Sequence, residues 1–215
     1  MHTSSEKPHD PGNYWDKVYA SNRHDRLSWY QERPQASLDM IEATGIGPDS
    51  PIIDVGGGAS LLGDFLLQSG YTDITVLDCS REALDCAKRR LGSLERKISW
   101  IIEDIRHFRS SERFALWHDR AVFHFFVDHA DRRRYLDTLD SCLDERGHVV
   151  LATFAPSGPK RCSCQDVVRY DETVIAEWFE PKFRLISTLL VCHETPSCTA
   201  EDYMYFYFRR RDSFY

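Results

Sequence analysis

Short apolar runs alternate with stretches of helical spacing through most of this chain, and this alternation constrains its fold more than any other feature. Each run has the length of a buried strand, and the stretches between runs carry apolar residues three and four positions apart. The runs lie at residues 51–55, 74–77, 98–102, 114–117 and 147–152. Strands that alternate with helices favour a doubly wound α/β fold, in which a mostly parallel sheet has helices on both faces.

The end of the chain breaks this alternation. Two strand-like runs, 183–192 and 203–208, are separated by about ten residues, which is too few for the helix that joins parallel strands. We therefore predict that these two runs pair antiparallel. The second run is rich in aromatic residues. The sequence leaves open whether it belongs to the sheet core or to a dimer edge, and the oligomeric state stays open with it.

The length of 215 residues fits a single domain. Residues 1–12 are polar and contain proline and glycine, so we predict a disordered N-terminal tail there. Residues 13–48 are predicted to form a helical entry or cap segment. The main domain is predicted to extend over residues 49–215.

Composition and charge argue against several functional classes. A net charge of −7 disfavours general binding of nucleic acid, which requires a basic face. No apolar run in the sequence has the length needed to span a bilayer, so no membrane partner is expected. The seven cysteines are scattered and the N-terminus carries no secretory signal. We therefore expect free thiols and a cytoplasmic location.

A glycine turn, IDVGGG at residues 53–58, follows the first strand. Ligands of doubly wound sheets bind beyond the carboxyl ends of the strands, which is where this turn lies. The carboxylate of Asp54 suits an ammonium group and repels a pyrophosphate. A nicotinamide site also needs a third glycine, at the position where Leu61 stands. A nicotinamide-dependent oxidoreductase is thus disfavoured but remains an alternative hypothesis, as does a catalytically silent binding module.

Two further acids end the next two strands. Asp78 stands about twenty residues beyond the glycines, where an acid binds the vicinal hydroxyls of a ribose. Asp104 follows the third strand and has the oxygen atoms needed to accept a hydrogen bond from an adenine amino group. Either acid alone is explained by a helix cap or a surface loop. Acids at the ends of three successive strands together favour a nucleoside-binding site.

Three segments resemble the cofactor motifs of class I S-adenosylmethionine-dependent methyltransferases: IIDVGGGAS at residues 52–60, VLDCS at 76–80 and IIEDI at 101–105. The resemblance in element order covers residues 14–208. It implies a seven-stranded sheet whose last strand is inserted antiparallel, with S-adenosyl-L-methionine as the cofactor. It also implies in-line transfer of a methyl group to an acceptor.

More locally, YWDKVYA at residues 14–20 and DRAVFHFF at 119–126 resemble a bacterial subgroup of this family whose substrates are undefined. A looser similarity links the chain to seven-stranded protein-lysine methyltransferases. The acceptor therefore stays open between a small molecule and a protein side chain.

The resemblance also implies which residues hold the cofactor. Asp54 would neighbour its methionine part, Asp78 would bind the ribose hydroxyls, and Asp104 would bind the adenine. Further residues would line the same site: Val55, Gly56, Gly57, Gly58, Cys79, Ile105 and Asp119. Asp119 would lie by the methionine end or the methyl group. The family often has a further glycine where Ser60 stands, and a serine there is able to cap the following helix.

Candidate catalytic residues are His124 and Tyr14. His124 follows the fourth strand and is a possible base, with a structural histidine as the alternative. Tyr14 and Trp15 belong to the entry segment that the resemblance places over the cofactor, where an aromatic face stabilises a sulfonium; a hydrophobic clamp is the alternative. Cys162 and Cys164 lack the spacing of a zinc site, so no metal is expected.

Overall fold

The computed structural model describes residues 10–212. Six α-helices are present in this range: α1 Pro11–Ser21, α2 Gln35–Thr44, α3 Leu62–Gln68, α4 Arg81–Leu91, α5 His129–Cys142 and α6 Glu172–Phe179. Nine strands accompany them: β1 Ile52–Val55, β2 Ile74–Asp78, β3 Ile98–Ile102, β4 Phe114–Arg120, β5 Leu143–Phe154, β6 Arg161–Cys162, β7 Gln165–Asp166, β8 Phe183–Glu194 and β9 Ala200–Arg210. No helix in this range is both long and apolar enough to cross a membrane.

Seven of the strands form one sheet in the order β3-β2-β1-β4-β5-β9-β8. The five strands from β1 to β5 are parallel, and β9 lies antiparallel between β5 and β8. The predicted fold class is therefore confirmed, including the antiparallel last strand. The aromatic run at 203–208 lies within β9, so it belongs to the interior of the sheet and not to its edge.

Apolar layers cover both faces of the sheet. On one face, α5 and α6 pack through Tyr135, Leu139 and Phe179. On the other face, α2 and α3 pack through side chains such as Ile41 and Leu66. Every residue of β1 and β2 is buried, as expected for central parallel strands that are covered on both sides.

The first helix begins earlier than the sequence analysis predicted. Of the predicted disordered tail, residues 1–9 lie outside the described residues, and the prediction is wrong for residues 10–12. Asp10 is the N-cap of α1 and accepts a hydrogen bond from the Asn13 amide at 3.2 Å, while Pro11 occupies the first helical position. Proline is favoured there because its missing N–H would have no helical partner.

A buried polar network joins β4 to α5. The Trp117 indole donates to the Tyr135 hydroxyl at 2.8 Å, and that hydroxyl donates to the Asp119 carboxylate at 2.6 Å. Asp119 also accepts the backbone amides of Val122 and Phe123 at 2.9 and 3.1 Å, which fixes the turn after β4. Burial raises the pKa of Asp119 to about 7 despite these bonds.

We predict that Tyr135→Phe lowers the free energy of unfolding by about 1–3 kcal/mol, because it leaves the buried Trp117 N–H without a partner. Urea denaturation measures the change. The matched control is Tyr207→Phe, whose hydroxyl bonds to the partly exposed His148 at 2.7 Å and is replaced more readily by water. An equal loss in the two variants would contradict the prediction.

Candidate cofactor site

A cavity of about 160 Å³ opens at the carboxyl ends of the parallel strands. Most of the predicted cofactor residues line it: Trp15, Val55, Gly56, Asp78, Cys79, Asp104 and Ile105. They come from α1 and from the ends of β1, β2 and β3. The parallel sheet thus brings together residues that are far apart in the sequence.

A smaller cavity of about 60 Å³ lies on the other side of the glycine turn, and Asp54 and Gly57 line it. The two cavities share a wall that includes Tyr19, Trp29 and Arg120. The Trp29 indole donates to the Tyr19 hydroxyl at 3.2 Å, and Arg120 Nη1 donates to the Trp29 carbonyl at 2.9 Å. Sequence reasoning did not assign Tyr19 or Arg120 to the site.

The glycine turn has no room for side chains. Gly56 has a φ of +65°, and a Cβ added there would lie 2.0 Å from Val122 Cγ2. Gly58 has a φ of +47°, and its Cβ would lie 3.0 Å from both Asp78 Oδ2 and the Tyr19 hydroxyl. Glycine is required here for its left-handed backbone and for the close approach of its neighbours.

Asp54 is held by a histidine from the neighbouring strand. Its Oδ1 lies 2.7 Å from His118 Nδ1, and His118 Nε2 lies 2.9 Å from the Ser37 hydroxyl on α2. All three residues are buried. The other oxygen, Oδ2, faces the turn, since a Cβ at Gly57 would lie 2.5 Å from it. Sequence reasoning missed His118 and Ser37. The pairing of β1 with β4 brings His118 to Asp54, α2 brings Ser37 to His118, and no local motif marks either residue.

Asp78 is buried at the end of β2. Its Oδ1 accepts the Ser80 amide at 2.7 Å, and the Ser80 hydroxyl accepts the Ala83 amide as the cap of α4. Burial, together with the nearby charge of Asp54, raises the pKa of Asp78 to about 7. The carboxyl group therefore titrates close to neutral pH.

Asp104 is engaged by an arginine that the sequence analysis did not single out. Arg106 Nη2 donates to Asp104 Oδ2 at 2.5 Å, and Arg106 Nη1 donates to Asp131 at 3.2 Å. Burial acts to raise the pKa of Asp104, but the hydrogen bonds from Arg106 outweigh it and hold the pKa below its usual range. The carboxylates of Asp104 and Asp131 thus share the Arg106 guanidinium at this end of the cavity.

Trp15 lines the larger cavity and meets Trp29 and Phe125 edge to face, with ring centroids 5.7 and 5.3 Å apart. Asp16 on the same helix fixes α1 to the start of α4, because its Oδ1 accepts the Ser80 hydroxyl at 2.7 Å and the Glu82 amide at 3.1 Å. The entry segment therefore lies over the cavity.

Tyr14 contacts the loop after β5. Its hydroxyl donates to the Ser163 carbonyl, in the turn that joins β6 to β7. Both turn residues, Ser163 and Cys164, have positive φ angles, which two-residue hairpin turns of type I′ require. Tyr14 lines neither cavity. Its bond to Ser163 connects α1, the helix that covers the larger cavity, to the β6–β7 hairpin.

His124 and Asp119 are also absent from the lining of both cavities. The His124 ring is buried between Phe125 and Phe154, and its Nδ1 faces the Phe154 amide at 3.4 Å. Burial, with the charge of Arg120, lowers the pKa of His124 to about 3. These features favour the structural alternative for His124. Asp119 fixes the turn after β4 and holds the backbone of Val122, which lines the larger cavity.

The cysteines of the hairpin are both free thiols. Cys162 lines the larger cavity, and Cys164 is exposed in the hairpin turn. Burial raises the pKa of the Cys162 thiol to about 12, so this thiol stays protonated at neutral pH.

The chain is similar to known methyltransferases. Residues 52–147 match a methyltransferase domain family. Nodulation protein S of Rhizobium tropici is 29% identical over 145 residues, which cover 67% of this chain and 59% of that protein's length. The chain therefore aligns with less than two thirds of this curated relative.

Two solved structures have the same fold. The 1,6-didemethyltoxoflavin-N1-methyltransferase of Burkholderia thailandensis, solved with its acceptor and S-adenosylhomocysteine, has a TM-score of 0.74 at 20% identity and covers 99% of this chain and 94% of its own. The N-methyltransferase NodS of Bradyrhizobium japonicum WM9, solved with S-adenosylhomocysteine, has a TM-score of 0.67 at 22% identity. The match covers 95% of this chain and 93% of the NodS chain.

Residues 52–147 thus match a methyltransferase domain family, and the fold is shared with solved methyltransferases. The fold that the sequence predicted is confirmed, and the matched family agrees with the predicted one.

We predict that Gly56→Ala is more destabilising than Gly45→Ala. Gly45 has a similar φ of +72° with nothing within 4 Å of an added Cβ, so Gly45→Ala measures the backbone cost alone, about 1–2 kcal/mol. The clash with Val122 should add about 1–3 kcal/mol at Gly56.

Chemical denaturation of both variants measures the difference. Val122→Ala removes the clashing methyl group. In this background, Gly56→Ala should therefore lower the free energy of unfolding by little more than Gly45→Ala does in the wild type, when the double variant is compared with Val122→Ala alone. If Gly56→Ala and Gly45→Ala lowered the free energy of unfolding equally, the turn would have room for a side chain and the prediction would be wrong.

Proposed function

We propose that this protein transfers a methyl group from S-adenosylmethionine to a nitrogen atom of a small-molecule acceptor. One observation carries the proposal: Asp78 and Asp104, at the ends of successive strands, line one cavity together with the glycine turn at Gly56. The nitrogen acceptor is supported by the two structural relatives that are described as N-methyltransferases.

The residues present fit the cofactor. Glycine backbone with no space for a Cβ is what close approach of a ligand to the chain requires. In this proposal Asp78 accepts the ribose hydroxyls, Asp104 and Ile105 hold the adenine, and Asp54 in the smaller cavity pairs with the α-amino group. When bound, S-adenosylmethionine supplies a methyl group that its sulfonium has already activated.

The aromatic wall favours a cationic ligand. Trp15, Trp29 and Phe125 meet at the larger cavity, and a tryptophan face attracts a positive charge by about 0.5–2 kcal/mol. In this proposal the same rings also keep water away from the reacting groups. Their role in this proposal is to hold the donor and the acceptor in line, which is the main requirement of this reaction.

No protein base is assigned in this proposal. His124 is buried outside both cavities and its pKa is lowered to about 3 by burial, so it stays neutral. A neutral amine attacks with its own lone pair, and its proton is lost to solvent after transfer. The proposed setting is the cytoplasm, which the free thiols of all seven cysteines support.

Calorimetric titration with S-adenosylhomocysteine tests the cofactor assignment. We expect saturable binding that weakens at least tenfold in Asp78→Asn, since a bond from a ribose hydroxyl to a charged carboxylate is worth about 1.5–3 kcal/mol. Asp73→Asn, at the exposed opposite end of β2, is the matched control and should bind normally. Binding of NADH in place of S-adenosylhomocysteine would favour the oxidoreductase alternative.

The affinity for S-adenosylhomocysteine should rise as the pH rises through about 7. Burial raises the pKa of Asp78 to about 7, so its carboxyl group is neutral below this pH and becomes an acceptor for both ribose hydroxyls above it. Below the pKa the affinity should change by up to about tenfold per pH unit.

Titrations in a pH series measure this dependence. In Asp78→Asn the affinity should no longer depend on pH. If the pH dependence came instead from Asp119, the variant would keep it, because Asp119 is unchanged in that variant. A wild-type affinity that is independent of pH would count against the role of Asp78.

A further inference from the structure

Three buried residues form a hydrogen-bonded network that leads from α2 to the glycine turn. In the register of β1 with β4, Asp54 lies directly opposite His118, so both side chains point to the same face of the sheet. His118 Nδ1 lies 2.7 Å from Asp54 Oδ1, and His118 Nε2 lies 2.9 Å from the hydroxyl of Ser37 on α2. None of the three residues is more than 3% exposed.

The hydrogen-bonding capacity of these groups determines where the protons lie. An ionised carboxylate only accepts hydrogen bonds, so His118 Nδ1 carries a hydrogen and donates it to Asp54. In the neutral imidazole Nε2 is then an acceptor, and the Ser37 hydroxyl is the donor that it faces. Ser37 therefore selects the tautomer of His118 that keeps a donor on Asp54.

The network is open at the second oxygen of Asp54. Oδ2 has no hydrogen-bond partner within residues 10–212, and Asp54 lines the smaller cavity. Oδ2 also lies beside the glycine turn, 2.5 Å from the place that a Cβ of Gly57 would occupy. With Oδ1 held by His118, the plane of the carboxylate is fixed and Oδ2 faces this turn.

Ser37, His118 and Asp54 have the same connectivity as the catalytic triad of serine hydrolases. A nucleophilic serine has to meet its substrate, whereas Ser37 has no exposed surface. Its hydroxyl faces His118 from α2, beneath the cavity. The network therefore acts on Asp54 and does not activate Ser37.

We propose that His118 is a positioning residue for the methionine part of the cofactor: it fixes the Asp54 carboxylate so that Oδ2 receives the α-ammonium group. This inference rests on the proposed function, in which Asp54 pairs with that group. A neutral His118 leaves the negative charge of Asp54 uncompensated, so that charge is available to a cation. The adenosine part, assigned above to Asp78 and Asp104, makes no use of His118. Affinity for the amino-acid part is thus separable from affinity for the nucleoside.

Calorimetric titration with two ligands tests this role. S-adenosylhomocysteine carries the α-ammonium group, and methylthioadenosine has the same nucleoside and sulfur atom without the amino-acid part. We expect His118→Phe to weaken the binding of S-adenosylhomocysteine at least about tenfold, as the loss of an orienting partner does at metal-ligating side chains. The binding of methylthioadenosine should stay nearly unchanged.

Two further variants separate positioning from folding. His118→Asn places an amide N–H near the position of Nδ1, so it should recover most of the affinity for S-adenosylhomocysteine. Ser37→Ala removes the bond to Nε2, so it should weaken the same ligand selectively but to a smaller extent. If His118→Phe does not fold, Ser37→Ala carries the test.

The matched control is His148→Phe. His148 also bonds through Nδ1 at 2.7 Å, to the Tyr207 hydroxyl, and it lines neither cavity. Both affinities should therefore be unchanged in this variant. Circular dichroism and a thermal melt confirm that each variant is folded.

The outcomes distinguish this inference from the proposed function. Three results would overturn the role of His118 and leave the cofactor assignment in place. They are an equal loss of affinity for the two ligands, no loss in the folded variants, and no recovery in His118→Asn. Wild-type protein that binds neither ligand would overturn the proposed function and this inference with it.

Discussion

The site depends on one steric constraint, the turn that follows β1. β1 lies between β2 and β4 and is buried on both faces, so the chain leaves the sheet at its centre. There Val122 occupies the space in which a Cβ of Gly56 would lie. The Asp119 carboxylate in turn fixes Val122 through its backbone amide. The shape of the cavity thus depends on the contact between the turns after β1 and β4. The buried Asp119 affects this shape because it holds Val122 in place.

Buried carboxylates are the second requirement of the site. Asp54, Asp78 and Asp119 are all buried, and burial of a carboxylate is unfavourable unless hydrogen bonds compensate it. Each has a different source of compensation: His118 for Asp54, the Ser80 amide for Asp78, and Tyr135 with two amides for Asp119. For Asp78 and Asp119 the compensation is incomplete, and burial raises both pKa values to about 7.

The sequence predicted the features that local patterns encode. Apolar periodicity indicated the seven strands of the main sheet along the chain, and the acids at strand ends were found because they follow those strands directly. The pairing of Asp54 with His118 spans 64 positions and depends on the register of β1 with β4, which no local pattern reveals. His124 was a candidate base by its position in the chain, and only its packing between aromatic rings shows that it is enclosed. The start of α1 was missed although Asp10 before Pro11 is a helix-start signal.

The attachment of α1 has a consequence for the energetics of the whole molecule. This helix covers the larger cavity, yet none of its residues is fully buried. It is attached to the rest of the structure by the bonds of Asp16 to α4, the bond of Tyr14 to the hairpin, the bond of Tyr19 with Trp29 and the edge contacts of Trp15. Segments with few buried apolar contacts open at a small fraction of the global unfolding free energy. We therefore expect α1 to open at a lower free energy than the sheet unfolds, so that amide exchange in α1 reports the opening of the cavity while exchange in β1 and β2 reports unfolding of the domain.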